Sequence, residues 1–277
     1  MRRNKDFIQA CAKPVKGSPI PSKFAMWTAI SAVAGALGRK CWFSMPHYDV
    51  RPNLFIVLLG TPGTNKSVSL MLPFSKVFSK LTTPVGTTEK DNEFNSGLTQ
   101  YGLKDYPLYI IQDKITPERL AVEMNKITRW DKRVGTLDDM FFDSSITMST
   151  GSSQLIKGPC LNWIACATPE QFIEHLPENA SSQGLLARFL PIYHQGERIP
   201  QSLLQERVTE DTLKDLRYDL SLIASIRGQF KFDEEAAEVV ENDFQTYIQP
   251  ECKDPNMSEY NQRRNSHFLK VAMAISA

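Results

Sequence analysis

Cysteine is scarce and unpatterned: Cys11, Cys41, Cys160, Cys166 and Cys252 are the only five in 277 residues. None forms a CxxC pair or has a histidine at ligand spacing, and the count is odd, so a disulfide framework and a zinc finger or ribbon are both excluded. No apolar run approaches the roughly 20 residues of a membrane helix, and the opening MRRNKDF lacks the apolar core of a secretory signal. We therefore expect a cytoplasmic protein with no membrane segment. Neither sign of charge is in excess, since 32 Lys plus Arg stand against 31 Asp plus Glu for a net +1. Bulk electrostatics thus demand no polyanionic partner, and any nucleic-acid surface must be local. Internal repeats and low-complexity tracts are also missing, which excludes a solenoid or a linker-like chain.

What is present fits a globular α/β protein. With 42% hydrophobic and 23% charged residues, the chain can bury a full core as one large domain, or as one domain with a small lid. Phe24, Trp27, Ile30, Val33, Ala34 and Leu37 recur at helical spacing between a Pro21-Ser22 start and a Gly38 stop. "KCWFSM" and "LFIVLLG" read as strands, the second buried on both faces as a central parallel strand would be. Val68 to Leu81 resumes helical periodicity, with Pro73 expected to bend it or begin a new turn. A strand over Leu108 to Ile111 leads to a helix opened by Thr116, Pro117 and Glu118, and a strand over Leu161 to Ala167 leads to one opened by Thr168, Pro169 and Glu170. "ARFLPIYH" is a further strand, and from Glu210 onward three amphipathic helices follow. The expected division is a helical segment over 1–50 packed on the core, an α/β core over 51–205 with a mainly parallel sheet, and an all-α lid over 206–277. The last helix stops at Ala277 in mid-pattern without a cap, which reads as a truncated lid.

The chemistry concentrates in "LFIVLLGTPGTNKS", Leu54 to Ser67. A buried strand ends there in a glycine-bearing turn whose backbone N–H groups converge on one concavity, and a helix N-terminus adds its partial positive charge. Such a cradle binds phosphate. Gly60, Thr61, Pro62, Gly63, Thr64, Asn65, Lys66, Ser67 and Val68 would line it, with Lys66 as a point charge on the β- and γ-phosphates and the Ser67 hydroxyl as a magnesium ligand. Gly60 and Gly63 supply positive φ angles or a close approach that a Cβ would block. Asn65 stands where the usual pattern has glycine, and asparagine tolerates the left-handed conformation better than most residues. By average residue usage the pattern arises by chance in about one chain of this size in a hundred. ATP with Mg2+ is the expected cofactor pair.

"MWTAISAVAGALGRKCWFSMPHYDVRPNLFIVLLGTPGTNKS", "IIQDKITPERL", "LNWIACATPEQFIEHLP", "GLLARFLPIYHQGER" and "FLKVAMAIS" together resemble, in order and over nearly the whole chain, the P-loop ATPase family of phages and mobile elements. That AAA+/RecA-like family is associated with primase domains and is taken for replicative helicases. Its most specific parts here are Pro52-Asn53, the phosphate loop, and Ala167 to Glu170. The resemblance implies a P-loop core with a helical lid and an NTP-driven motor on single-stranded or forked DNA. It further implies self-association into a ring, a hexamer by expectation, and a primase partner. Within it, Thr168 is similar to the sensor-1 position that watches the γ-phosphate, and Arg188 resembles an arginine finger supplied across a subunit interface. Thr168 also serves as a helix N-cap, and Arg188 could complement a helix C-terminus.

One part of that chemistry has no clear counterpart. Such an ATPase holds magnesium and polarises water with an acid at the end of a second buried strand. Asp113 ends "LYIIQD", but Lys114 follows, and in the family this stretch leads into the Thr-Pro-Glu helix. Asp138, Asp139 and Asp143 have no apolar strand ahead of them. The expectation is that residues between about Trp130 and Val134 are omitted, the other reading being a catalytically crippled chain. Candidate DNA contacts are Arg2, Arg3, Lys5, Lys13 and Lys16, with Arg39, Lys40 and Arg51 around the second strand; Arg263, Arg264 and Lys270 could serve as a lid sensor or backbone contacts. His47, His175, His194 and His267 show no catalytic spacing and read as structural, and the four tryptophans read mainly as core. The favoured function is ATP-driven translocation or unwinding on DNA. The alternatives are an ATP-dependent switch or loader and a non-hydrolysing nucleotide-binding scaffold.

Overall fold

The computed structural model describes residues 1–15, 18–77, 98–101, 109–112, 146–150, 152–156, 162–174, 186–196, 208–246 and 255–277. After α1 (Phe7–Ala12) comes α2 (Ser22–Leu37), which begins after Pro21 and ends where Gly38 adopts φ 54°. That conformation costs a β-carbon-free residue little, so the sequence start and stop signals fall where expected. Every residue from Thr28 to Leu37 is buried. The helix is therefore enclosed on all sides rather than along one stripe, and Ala29, Ala32, Ala34, Gly35 and Ala36 let its neighbours come close.

The largest sheet among the described residues has five strands: β3 (Phe55–Gly60), β4 (Leu98–Tyr101), β5 (Tyr109–Gln112), β8 (Asn162–Ala167) and β9 (Phe189–His194). Its order is β4-β5-β8-β3-β9, with β4 antiparallel and the other four parallel. All six residues of β3 are buried, as its unbroken apolar run requires of a central parallel strand. The chain leaves β3 toward β4 and β5, beyond β8, whereas it leaves β8 for β9, on the other side of β3. Such a reversal opens a crevice at the C-terminal ends of the strands.

Two smaller sheets complete the strands. In one, β1 (Cys41–Ser44) pairs antiparallel with β2 (Asp49–Val50) and parallel with β10 (Gly228–Phe230). In the other, β6 (Ile146–Thr150) pairs with β7 (Ser152–Ile156). The further α-helices among the described residues are α3 (Lys66–Leu70), α4 (Pro169–Glu174), α5 (Glu210–Ser225), α6 (Glu234–Thr246) and α7 (Pro255–Ser276).

Two expectations change here. The segment 206–277 is not all-α, because β10 joins the N-terminal strand β1. Nor does it have a core to itself: Leu213, Leu216, Leu220 and Ile223 of α5 and Ala274 of α7 share one apolar cluster with Phe24, Leu37, Leu54, Ile56, Leu58 and Ile164. At roughly 1.5–3 kcal/mol for each fully buried large side chain, this shared core outweighs any linker in fixing α5 and α7 against α2.

The helix after the loop follows its proline. Beyond Leu70 it widens into a π-type turn over Met71–Val77. Pro73 has no N–H to give to the carbonyl four residues back, which is that of Ser69. The buried Thr28 hydroxyl of α2 approaches that oxygen instead, at 3.3 Å. The predicted helix after Thr116 and the acids Asp113, Asp138, Asp139 and Asp143 lie outside the described residues, as does the Trp130 to Val134 stretch. No helix among the described residues is long and apolar enough to cross a membrane.

Candidate functional site

The C-terminal end of β3 runs into the predicted loop, and two of its residues hold positive φ. Gly63 sits at 86° and Asn65 at 53°, so the asparagine occupies the left-handed well that its short polar side chain tolerates. Its Nδ2 lies 3.4 Å from the Pro19 carbonyl, near the start of α2. Gly60 acts by close approach instead: a β-carbon there would stand 2.8 Å from Thr64 Oγ1 and 3.2 Å from the Phe24 ring. Thr64 is buried, and its hydroxyl donates to the Thr61 carbonyl at 2.8 Å.

Lys66 closes the loop from inside. Its ammonium donates to the Gly60 carbonyl at 2.7 Å, to the Thr61 carbonyl at 2.9 Å and to Thr64 Oγ1 at 3.3 Å. Partial burial pulls its pKa down, while Cys166 and Glu170 act in the opposite direction. The ammonium is therefore anchored by neutral oxygens alone in these bonds, which an anionic oxygen arriving in the loop would outcompete. Ser69 N–H donates to the Asn65 carbonyl at 3.0 Å, beginning the helix ladder, and Ser69 Oγ donates to the Lys66 carbonyl at 2.6 Å. Gly60, Thr61, Pro62, Gly63, Thr64, Asn65 and Lys66 thus form one turn. Val68, the third residue of α3, is exposed, and of Ser67 only the backbone position near the start of α3 is described.

Neighbouring strands bring two further groups to this end. Leu59 pairs with Ala167, so Thr168 follows one residue later, level with Gly60. Its carbonyl accepts the Phe172 N–H at 2.9 Å, starting α4. On the other side Gly60 pairs with His194, whose ring meets Phe24 edge to face at 5.7 Å. Lys23 reaches across to the Tyr193 carbonyl at 3.0 Å. Sequence reasoning missed this contribution of β9 and α2. The only available signal was that "FLPIYH" matches the length of the β3 strand, which sets His194 beside the loop only once the register is known.

Arg188 is placed elsewhere. It precedes Phe189, which pairs with Phe55 at the opposite end of β3, about 20 Å along the strand from the loop. It is only 2% exposed. The structure does not bring it together with Lys66 and Thr168, and within its own chain it is a covered group beneath α7.

Five of the proposed DNA contacts and lid sensors are likewise committed to the chain. Arg3 pairs with Asp215 and lies over the Tyr218 ring at 4.6 Å. Beside it the Asp219 carboxylate, fully buried, accepts Arg3 N–H at 2.7 Å, Asn4 N–H at 2.8 Å and Asn4 Nδ2 at 2.8 Å. Lys40 donates to the Ala36 carbonyl at 3.3 Å and to that of Ala224, closing the C-terminal turns of α2 and α5. Arg51 donates to the Arg39 carbonyl at 3.2 Å and faces the Trp42 ring at 5.2 Å. Arg264 pairs with Asp243 at 2.8 Å. Lys270 is 2% exposed, its ammonium 2.9 Å from the Arg51 carbonyl and 2.5 Å from Asn53 Oδ1.

Among the described residues no group of three or more His, Cys, Asp or Glu side chains could hold a metal ion. The described cysteines, Cys11, Cys41 and Cys166, are buried and none is in a disulfide. Burial pushes the Cys11 and Cys41 thiols up, which keeps them protonated and unreactive. No family model matches the chain, and no curated protein matches it either.

Proposed function

We propose that the loop from Gly60 to Val68 binds the phosphates of ATP and that the protein is an ATPase acting on DNA. The observation that carries this reading is the Lys66 ammonium, held in the turn by the Gly60 and Thr61 carbonyls and Thr64 Oγ1 at the crevice end of the parallel strands. Neutral oxygens around a lysine are the donor set that suits a polyphosphate: the charge is positioned, partly desolvated and available for exchange. Thr168, level with Gly60, fits a group near the terminal phosphate. Mg2+ would be held between phosphate oxygens and the Ser67 hydroxyl, and would neutralise charge developing on the phosphoryl group.

The molecular role we favour is a motor that translocates along or unwinds single-stranded or forked DNA in the replication of a mobile element. It rests on the sequence resemblance, as do ring formation and a primase partner. A P-loop core is the architecture that this role implies. Arg188, covered within its own chain, is not the arginine we assign to a neighbour's phosphate.

Steady-state ATP hydrolysis with and without single-stranded DNA, on the parent and on Lys66→Ala, tests the proposal. DNA-stimulated turnover that the substitution lowers by about 100-fold or more is expected. Nucleotide binding without turnover would make the protein a scaffold. Turnover without unwinding of a forked duplex would make it a switch or loader.

A further inference from the structure

We propose that Glu170 is the group that orients and deprotonates the attacking water at this site. The inference rests on reading the Gly60 to Val68 loop as the nucleotide site, and it fills the acidic role for which the sequence offers no clear strand-end residue.

The placement is geometric. β8 lies directly beside β3, and their parallel register ends at Leu59 and Ala167. Thr168 and Pro169 follow, and Glu170 is in the first turn of α4, which packs on β3. Pro169 fixes its own φ, and the Thr168 carbonyl is held by Phe172 N–H at 2.9 Å, so the direction of this turn is set by backbone bonds. Glu170 is exposed rather than buried in the core, and its helix starts at the C-terminal end of the sheet. With Cys166 it acts electrostatically on the Lys66 ammonium, favouring the charged form. A carboxylate near the loop lysine, one strand away from it, can face the outer side of a γ-phosphate that the lysine holds from the inner side.

The step balances without a further reagent. A water oxygen bonds to the γ-phosphorus as the bond from that phosphorus to the β,γ-bridging oxygen breaks, its electron pair leaving with ADP. The water proton passes to the Glu170 carboxylate and from there to solvent. A first-turn glutamate also complements the helix dipole, and that structural role has to be separated from the chemical one.

The separating measurement is a comparison of nucleotide affinity with turnover in Glu170→Gln, Glu170→Asp and Lys66→Ala, each checked for an unchanged thermal midpoint. The expected result for Glu170→Gln is ATP affinity within about threefold of the parent and kcat lower by roughly 100-fold or more. Nucleotide recovered from that variant after gel filtration would be ATP where the parent yields ADP, a readout independent of rate. Glu170→Asp should restore part of kcat, because it keeps a carboxylate, whereas a dipole role would leave all of these unmoved. If Glu170→Gln turns over like the parent while Lys66→Ala does not, the assignment of Glu170 is overturned and the loop reading stands. If Lys66→Ala also binds and hydrolyses like the parent, the loop reading itself fails.

Discussion

Lys66 and Lys270 stand at opposite ends of the same strand neighbourhood, and both give their ammonium protons to uncharged oxygens. Lys66, at the C-terminal end of β3, is half-buried and bonds to loop carbonyls and a hydroxyl. Lys270 comes from α7 to the N-terminal approach of β3, is 2% exposed, and bonds to the Arg51 carbonyl and Asn53 Oδ1. The two arrangements look alike atom by atom and differ in access to water. At the exposed end the bonds can be exchanged for those of an incoming anion. At the covered end they cannot, so the same contacts fasten a helix to a sheet. The lesson is that a buried charge signals function only where its surroundings can open.

Replacing each lysine with methionine sharpens this contrast most. Lys270→Met takes the donor from the half-buried Arg51 carbonyl and the buried Asn53 amide oxygen, and should cost roughly 3–4 kcal/mol in chemical denaturation. Lys66→Met should cost no more than about 1 kcal/mol, since water can replace its bonds, while turnover is lost. Equal losses of stability would break the comparison.

The second test uses pH on the covered end. His267 Nε2 bonds the Ala187 carbonyl at 2.8 Å, the ring stacks on Tyr260 at 5.7 Å, and burial first of all holds its pKa at about 4. Lys270 and Arg263 lower it further, against the backbone bond, which raises it. The folded form therefore takes up its proton later than the unfolded chain, whose histidine titrates near 6.5. Stability from this group is complete above about pH 6.5 and is lost as pH falls toward 4, by roughly 3 kcal/mol at most. Denaturation midpoints measured across that range should show a steeper acid limb for the parent than for His267→Gln. A parallel slope in the two proteins would contradict the assignment.

Smaller effects belong to the loop and the N-terminus. Asn65→Val places a β-branched residue at φ 53° and should cost about 1–2 kcal/mol, whereas Asn65→Gly should be close to neutral, both read from thermal unfolding. Arg3→Ala removes an exposed, solvent-screened pair with Asp215 and should leave the thermal midpoint close to that of the parent. An effect as large as that of Lys270→Met would mean that the N-terminus is fastened more like the covered end than its exposure indicates.

How much of this was legible in the residues follows from what each feature depends on. The bounds of α2, the buried strand before the loop and the left-handed tolerance of Asn65 are local properties, and local patterning carries them. The break at Pro73 was also legible, because a missing N–H is a property of one residue. Neither the burial of Lys270 and Arg188 nor the placement of His194 could be read, since each is decided by which strand or helix lies opposite. The three-residue strand β10 was hidden for a related reason: "GQF" has no periodicity to detect, and it becomes a strand only because Cys41 to Phe43 lie alongside it. The helical appearance of everything after Glu210 then suggested a separate lid where there is a shared core.

The carboxylate of Asp219 ties down Arg3 and Asn4 across 216 residues of chain, and that distance becomes a delay during synthesis. At about 5–20 residues per second, on the order of 10–40 seconds pass between the emergence of the N-terminus and that of its anchor. Over the same interval α2, apolar around its whole circumference, has been made but lacks α5 and α7 to cover it. The nascent chain therefore benefits from shelter or dilution until α5 and α7 appear, because α2 is made well before the helices that enclose it.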